Sequence, residues 1–331
     1  MFRERFIEQL LRHQLDEKSD FDTLAMSLFK YQVHCNKVYK EYCDVLIGST
    51  PNKVNEIPLL PISAFKSNDV ISTSLGIDKG YYFKSSGTSS AKTSKHFVSD
   101  LNWYKQNATT LFEKSYGALD QFEILALLPS YQENDQSSLI YMMNHFIKES
   151  KNLTSRFIDF DVEKLQTVLT MPAAKKRLLL GVSYALLDLA EQIELDLSET
   201  IVMETGGMKG RRKELPRPEL HVLLKTKFNV DSIHSEYGMT ELMSQFYSKG
   251  NGLFDIPNSV RVSIREINDP LHQIEHGKTG LIGIIDLANI DSCAFILTED
   301  LGKIHDNGQL EILGRLDHSD IRGCNLLYHD L

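Results

Sequence analysis

KRLLLGV, residues 176–182, carries no polar residue after Arg177, and EILALLP at 123–129 and TIVMETG at 200–206 are nearly as apolar. A strand with one wet face alternates apolar and polar side chains, whereas a strand apolar throughout is covered on both faces, as in a parallel sheet flanked by helices. Helical stretches separate the runs, so the core reads as α/β with a largely parallel sheet. Beyond about residue 250 the rhythm turns to strand and turn, in RVSIREI, HGKTGLIGIIDL, FILTEDLGKI and LEILGRLD, which predicts a more antiparallel β subdomain. Upstream, Phe2, Phe6, Leu10 and Leu11 fall on one helical face, and apolar residues continue at helical spacing from Phe21 to Tyr42. STPNKVNEIPLLPIS, with its prolines, then favours extended chain. The expected division is a helical N-terminal arm over 1–58, an α/β core over 59–250, and a β-rich subdomain over 251–331.

The chain has 331 residues, 42% hydrophobic and 24% charged, enough to bury a sizeable core. A net charge of −9 argues against a broad nucleic-acid surface, which needs surplus Lys and Arg on some face. The N-terminal MFRERFIEQLLRHQLDEK interrupts every apolar run with charge, so neither a signal peptide nor a membrane span is expected, and the default location is cytoplasmic. Cys35, Cys43, Cys293 and Cys324 are too scattered for a disulfide framework, and no C-x-x-C pair suggests zinc.

KSSGTSSAKTSKHFVSD at 84–100 concentrates hydroxyls, glycine and lysines, a composition suited to an anion. It is not a Walker loop: the second glycine is absent, the spacing is one residue short, and SKHFVS alternates like a strand before a helix begins near Ser99. The loop therefore joins two strands, and a solvated polar turn is the alternative to a phosphate cradle. In the helix that follows, Ser99 is the expected cap and Leu101, Tyr104, Ala108 and Leu111 form one face.

HSEYGMTELMSQ at 234–245 follows FNVDSI, which reads as strand. It offers an aromatic beside glycine, a hydroxyl and a carboxylate suited to Mg2+; the alternative is a helix start with Thr240 as cap and Glu241 on the dipole. LTEDLGKI at 297–304 and ILGRLDHSDIRGC at 312–324 place an aspartate just after a strand and an arginine in a turn, a pair able to grip ribose hydroxyls or simply to sit at the surface.

With S-S-G-T-S at 85–89, Y-G-M-T-E at 237–241, T-E-D at 298–300 and G-R-x-D at 314–317, in that order, the chain resembles the adenylate-forming, acyl-CoA synthetase-like superfamily. FKSSGTSS, SEYGMTELMSQ and SDIRGCNLL resemble, more narrowly, the acyl-protein synthetase (LuxE-like) family, the fatty-acid-activating component of a fatty acid reductase system. The resemblance spans about residues 60 to 331. It implies the large N-terminal domain of an adenylate-forming enzyme, ending near a hinge without the usual C-terminal lid, whose lysine a partner or Lys92, Lys95 or Arg322 would replace. It gives Ser85, Ser86, Gly87, Thr88 and Ser89 the triphosphate of ATP, with Lys92 as helper. It gives Tyr237 and Gly238 the adenine, Thr240 the α-phosphate, Glu241 the Mg2+, and Asp300 and Arg315 the ribose. Gly206 and Gly207 would pass close to adenine or form a simple glycine turn. His145 would lie near the acyl carboxylate or be a core histidine.

The implied reaction is attack of a carboxylate, a fatty acid by family expectation, on the α-phosphorus, followed by attack of a protein thiol on the acyl-adenylate. Cys324, beside Arg322, is the candidate thiol within this chain, ahead of a reductase or other thiol-bearing protein. The rival expectations are an acyl-activating enzyme with a small-molecule or carrier-protein acceptor, and a nucleotide-binding module without turnover.

Overall fold

The computed structural model describes residues 2–15, 20–72, 80–85, 93–129, 136–207 and 215–316. Helices α1 (Phe2–Leu15), α2 (Phe21–Cys35) and α3 (Lys37–Leu46) open the chain. The apolar repeat expected to continue from Phe21 to Tyr42 is broken at Asn36, which is extended (φ −99°, ψ 105°). Its side-chain oxygen accepts from Tyr39 N and starts α3, while its amide nitrogen donates to Ser292 O at 3.1 Å. One buried side chain thus ends a helix, caps the next and ties both to residues far along the chain.

Strand β1 (Leu60–Pro61) and the short α4 (Ala64–Ser67) lead to the antiparallel hairpin β2 (Tyr82–Lys84) and β3 (Lys95–Phe97), so the Ser/Thr loop does join two strands. Next comes α5 (Leu101–Tyr116). Its cap is Asp100, whose carboxylate accepts from Asn102 N and Trp103 N, and not Ser99, whose hydroxyl instead donates to Asp291.

The first sheet has the order β5-β4-β6-β7-β8-β9, built from β4 (Phe122–Leu127), β5 (Arg156–Phe157), β6 (Lys176–Val182), β7 (Thr200–Thr205), β8 (His234–Tyr237) and β9 (Phe246–Ser248). All its pairings are parallel except β8 with β9. Helices α6 (Ser138–Glu149), α7 (Val162–Thr170), α8 (Ser183–Gln192) and α9 (Arg217–Phe228) alternate with the strands. β4 is buried along its whole length, and β6 beyond Lys176, as an all-apolar strand requires. The strand expected over FNVDSI begins later, at His234, because Asn229 adopts a left-handed conformation (φ 47°) that closes α9.

The second sheet has the order β10-β14-β13-β12-β11, formed by β10 (Leu253–Phe254), β11 (Val260–Arg265), β12 (Gly280–Asp286), β13 (Phe295–Ile304) and β14 (Leu310–Arg315). These pair antiparallel, and β1 joins β13 in parallel, Leu60 opposite Ile296. The N-terminal helices pack on this sheet. Gln32 donates to Asn289 O and Ile290 O and accepts from Ala294 N, and Arg3 pairs with Asp291 at 2.9 Å. Among the described residues no helix is long and apolar enough to cross a membrane.

The two sheets meet where β8 of the first approaches β13 and β14 of the second: Tyr237 donates to Asp300 at 2.7 Å, and Arg217 to Ile312 O at 2.9 Å. In open α/β sheets ligands bind outside the carboxyl ends of parallel strands, and the ends of β7 and β8 face this junction.

Candidate active site

The segment between β8 and β9 carries Gly238, Thr240 and Glu241 and contains no helix, so Thr240 is not a helix cap. Buried side chains from distant elements pin it instead. Asp286, at the end of β12 and 0% exposed, accepts from Met243 N, Ser244 N, Ser244 Oγ and Ala288 N. Burial pushes its carboxyl up, and these donors pull it back. Asn107 of α5 donates to Met243 O at 2.9 Å, and Asn289 to Glu241 O at 2.8 Å. Glu241 itself is only 5% exposed. Burial raises its carboxyl above the ordinary range, opposed by a hydrogen bond from Ser94 and by the charges of Arg315 and Lys66.

Ser94 belongs to the stem of the Ser/Thr loop. Ser85 N donates to Ser94 O at 3.1 Å and Ser94 N to Ser85 Oγ at 2.9 Å, which closes the hairpin below its tip. Ser86, Gly87, Thr88, Ser89 and Lys92 lie outside the described residues, as does Cys324. Lys95 is exposed, its ammonium 5.3 Å from the Tyr82 ring centre.

Asp300 and Arg315 are not in turns. Asp300 lies within β13, Arg315 ends β14, and the two are direct partners across the ladder. Burial raises the Asp300 carboxyl and the Tyr237 hydroxyl that donates to it, while Arg315 acts against both shifts. Arg315 donates to Glu299 at 2.5 Å. Glu241, Tyr237, Asp300 and Arg315 therefore form one electrostatic neighbourhood at the mouth between the sheets. Gly206 follows β7 with φ 68°, a left-handed turn that glycine adopts without strain, and its carbonyl accepts from Ser183 Oγ at 3.1 Å; Gly207 is exposed beside it.

Residues 9–330 match the family described as Acyl-protein synthetase, LuxE. The chain belongs to that family. The expectation drawn from its motifs is thereby borne out, and the LuxE-family chain is an acyl-protein synthetase, a ligase. It is 23% identical over 344 residues to the long-chain-fatty-acid–luciferin-component ligase of Vibrio harveyi, covering 94% of this chain and 88% of that protein. The protein of the same description from Aliivibrio fischeri is 22% identical over 343 residues, with the same coverage. Among solved structures, ATP-bound MatB from Rhodopseudomonas palustris matches with a TM-score of 0.53 at 18% identity, covering 72% of this chain and 49% of that one. The acyl-protein synthetase thus spans about half the length of MatB. A 2-hydroxyisobutyryl-CoA ligase in complex with 2-HIB-AMP matches with a TM-score of 0.63 at 11% identity over 89% of this chain and 68% of that one. These likenesses establish the fold, that of the N-terminal domain of adenylate-forming enzymes.

The LuxE-family site also contains charges that motif reading passed over, although glutamates inside the apolar runs TIVMETG and HSEYG were their visible signal. Glu204 on β7 accepts from Ser183 Oγ and Arg217 Nε, both at 2.9 Å, with His221 at 3.5 Å. Burial opposes its ionisation, but His221, Arg217 and Ser235 together hold it down at about 2. Glu236, the register partner of Thr205, accepts from Thr205 Oγ1 at 2.5 Å. With burial as the main cause and Glu204 adding repulsion, its carboxyl is pushed up to about 7. A Cβ on Gly238 would meet Glu236 Oε1 at 2.7 Å, so a larger residue there would have to displace the Glu236 carboxylate.

The Glu236 shift has a testable sign. In the unfolded chain this carboxyl titrates near 4.5, and in the folded protein near 7, so stability is lost as pH rises between these values and the loss is complete above the upper one. Glu236→Gln is expected to melt like wild type at pH 4 and to be more stable at pH 8 by about 1–3 kcal/mol. Equal offsets from wild type at both pH values would show that the carboxyl is not displaced.

His145, on α6, bonds Thr109 Oγ1 of α5 at 2.8 Å in a surface groove of about 540 Å³ whose walls include Lys105 and Asp120. None of Glu241, Tyr237, Asp300 or Arg315 lines that groove, so the structure does not bring His145 to the cluster. Burial pushes the Cys43 thiol up to about 11 and the Cys293 thiol further still.

Proposed function

We propose that this acyl-protein synthetase uses ATP and Mg2+ to activate a long-chain fatty acid as the acyl-adenylate and passes the acyl group to a protein thiol, ultimately that of a reductase partner. The observation that carries the reading is the convergence of Glu241, Tyr237, Asp300 and Arg315 where the parallel strands of one sheet end against β13 and β14 of the other. The long-chain fatty acid comes from the descriptions of the two relatives, and the protein acceptor from that of the family.

In this reading Asp300 and Arg315 take the ribose hydroxyls, Tyr237 and Gly238 with Gly206 and Gly207 border the adenine, and Thr240 reaches the α-phosphate. The loop of Ser85, Ser86, Gly87, Thr88 and Ser89, with Lys92, holds the β- and γ-phosphates. The site suits Mg2+, which commonly takes one or two carboxylates and draws its other ligands from phosphates and water. Glu241 is such a carboxylate, buried, pinned by its backbone and raised in pKa until a cation is near. When bound, the ion shares the charge that develops on the departing pyrophosphate. A carboxylate oxygen of the acid bonds to the α-phosphorus as the bond to the bridging oxygen of pyrophosphate breaks. A thiolate sulfur then attacks the acyl carbonyl carbon, and AMP leaves with the bonding pair.

Cys43 and Cys293 are poor acceptors, since the thiolate is the nucleophile and burial disfavours it in both. Cys324, next to Arg322, is the acceptor proposed within the chain. ATP–pyrophosphate exchange across acids from acetate to palmitate is expected to depend on the long-chain members. Labelled palmitate and ATP are expected to leave a hydroxylamine-labile label on wild type that Cys324→Ser lacks. Exchange with no acid would sink the adenylation reading, and undiminished label on Cys324→Ser the relay.

A further inference from the structure

His96 carries no motif, yet it is 0% exposed on β3, the strand that returns from the Ser/Thr loop. Its Nε2 lies 3.0 Å from Asn289 Oδ1, and Asn289 Nδ2 donates to the main-chain oxygen of Glu241 at 2.8 Å. The identities of these atoms fix one another. A carbonyl only accepts, so the amide nitrogen of Asn289 must face Glu241 and its oxygen must face His96. That oxygen also only accepts, so His96 Nε2 carries the proton. Burial holds the imidazole below its ordinary value, while Asn289, the Thr240 backbone and Asp291 act the other way. Nδ1, beside the Thr240 backbone, meets no partner at hydrogen-bonding geometry among the described residues.

Ser94, two residues earlier in the same extended segment, lies by the Glu241 carboxylate and favours its ionised form. Residues 94 and 96 therefore reach Glu241 from one strand, Ser94 beside its carboxylate and His96 through Asn289 to its carbonyl. We propose that His96 is a positioning residue for the adenylation step: through Asn289 it fixes the Glu241 main chain relative to the stem of the Ser/Thr loop, and with it the place where the carboxylate would hold a cation. This inference rests on the reading of Glu241 as the Mg2+ ligand. It adds a main-chain coupling between the loop stem and Glu241, since Asp286 and Asn107 hold the 238–245 segment further on, at Met243 and Ser244.

The test is a Mg2+ titration, read both as exchange activity and as calorimetric binding of ATP, on wild type, His96→Gln, His96→Leu, Asn289→Ala, the His96→Leu/Asn289→Ala double variant and Glu241→Gln, with melting temperatures recorded for each. Partners that orient a metal ligand typically matter by about 10- to 100-fold in metal affinity. His96→Leu and Asn289→Ala are each expected to raise the Mg2+ concentration for half-maximal ATP binding about tenfold, while exchange at saturating Mg2+ falls by less than about threefold. Glutamine can still donate from Nε2, so His96→Gln is expected to stay within about threefold of wild type. The double variant is expected to be no worse than either single one, because both remove the same connection. Should His96→Leu fail to fold, Asn289→Ala and His96→Gln carry the comparison. A fall in exchange rate with no change in Mg2+ requirement, or additive effects in the double variant, would overturn the inference. A Mg2+ requirement unchanged in Glu241→Gln would remove the role of Glu241 and this inference together. A shift in Glu241→Gln without one in the His96 and Asn289 variants would remove this inference alone.

Discussion

Glu241→Gln protein is expected to lose about a hundredfold or more of its acid-dependent ATP–pyrophosphate exchange while gaining thermal stability at pH 8. The activity loss follows from removing the one carboxylate that the pinned segment offers to Mg2+, and with it a share of the stabilisation of charge on pyrophosphate. The stability gain follows from burial, the largest influence on this carboxyl, which raises its pKa in the folded protein. Wild type is therefore most favoured below the unfolded value near 4.5 and is penalised as pH rises through the folded value. Glutamine has the same shape, keeps an acceptor for Ser94 and has no charge to desolvate. Exchange assays alongside melting curves at pH 5 and 8 separate this pattern from simple damage, which would lower both. Residual exchange within about threefold of wild type would end the assignment.

The second large effect lies in the core, away from the nucleotide. Arg177 and Glu123 are register partners on β6 and β4, both side chains nearly fully buried, with Nε to Oε2 at 2.6 Å. The remaining guanidinium nitrogens donate to Leu169 O and Met171 O at the end of α7, so one side chain serves both a neighbouring strand and the free carbonyls of a helix terminus. Arg177→Leu is expected to destabilise the protein by about 3–5 kcal/mol, because it strands Glu123 as an uncompensated buried charge. Glu123→Leu/Arg177→Leu is expected to recover most of that loss, since removing both charges also removes the desolvation cost. Urea denaturation midpoints at pH 7.5 check both, and a single-variant loss below about 1 kcal/mol would show that the pair is not truly desolvated.

The parallel sheet was legible because burial on both faces leaves an unambiguous mark: β4, β6 and β7 coincide with EILALLP, KRLLLGV and TIVMETG. The hairpin was legible from alternation in SKHFVS. What local pattern could not supply was decided at long range. Ser99 and Asp100 are equally good caps by type, and Asp291, far along the chain, settles the choice by taking the Ser99 hydroxyl. Thr240 and Glu241 look like a helix start, but Asp286 binds the Met243 and Ser244 amides that a first helical turn would leave free for its cap. T-E-D at 298–300 looks like a turn because β13 is half-buried where it crosses the junction, so its polarity imitates a loop. The motif residues were readable as types, whereas the groups that hold them, Asp286, Asn289, His96 and Ser94, look in sequence like any other polar residue.

The docking of the N-terminal helices on the second sheet also has a history in time. The strands of the first sheet all lie between Phe122 and Ser248, so that sheet is complete once the ribosome has passed its last strand. Gln32, by contrast, waits for Asn289, 257 residues further on. At about 5–20 residues per second that is roughly 13–50 s of synthesis, during which Phe6, Leu10, Leu24, Leu28 and Phe29, all buried in the finished protein, have no surface of their own to cover. The helices α1–α3 are thus made well before the strand ends that cover them, and their final burial waits on the second sheet.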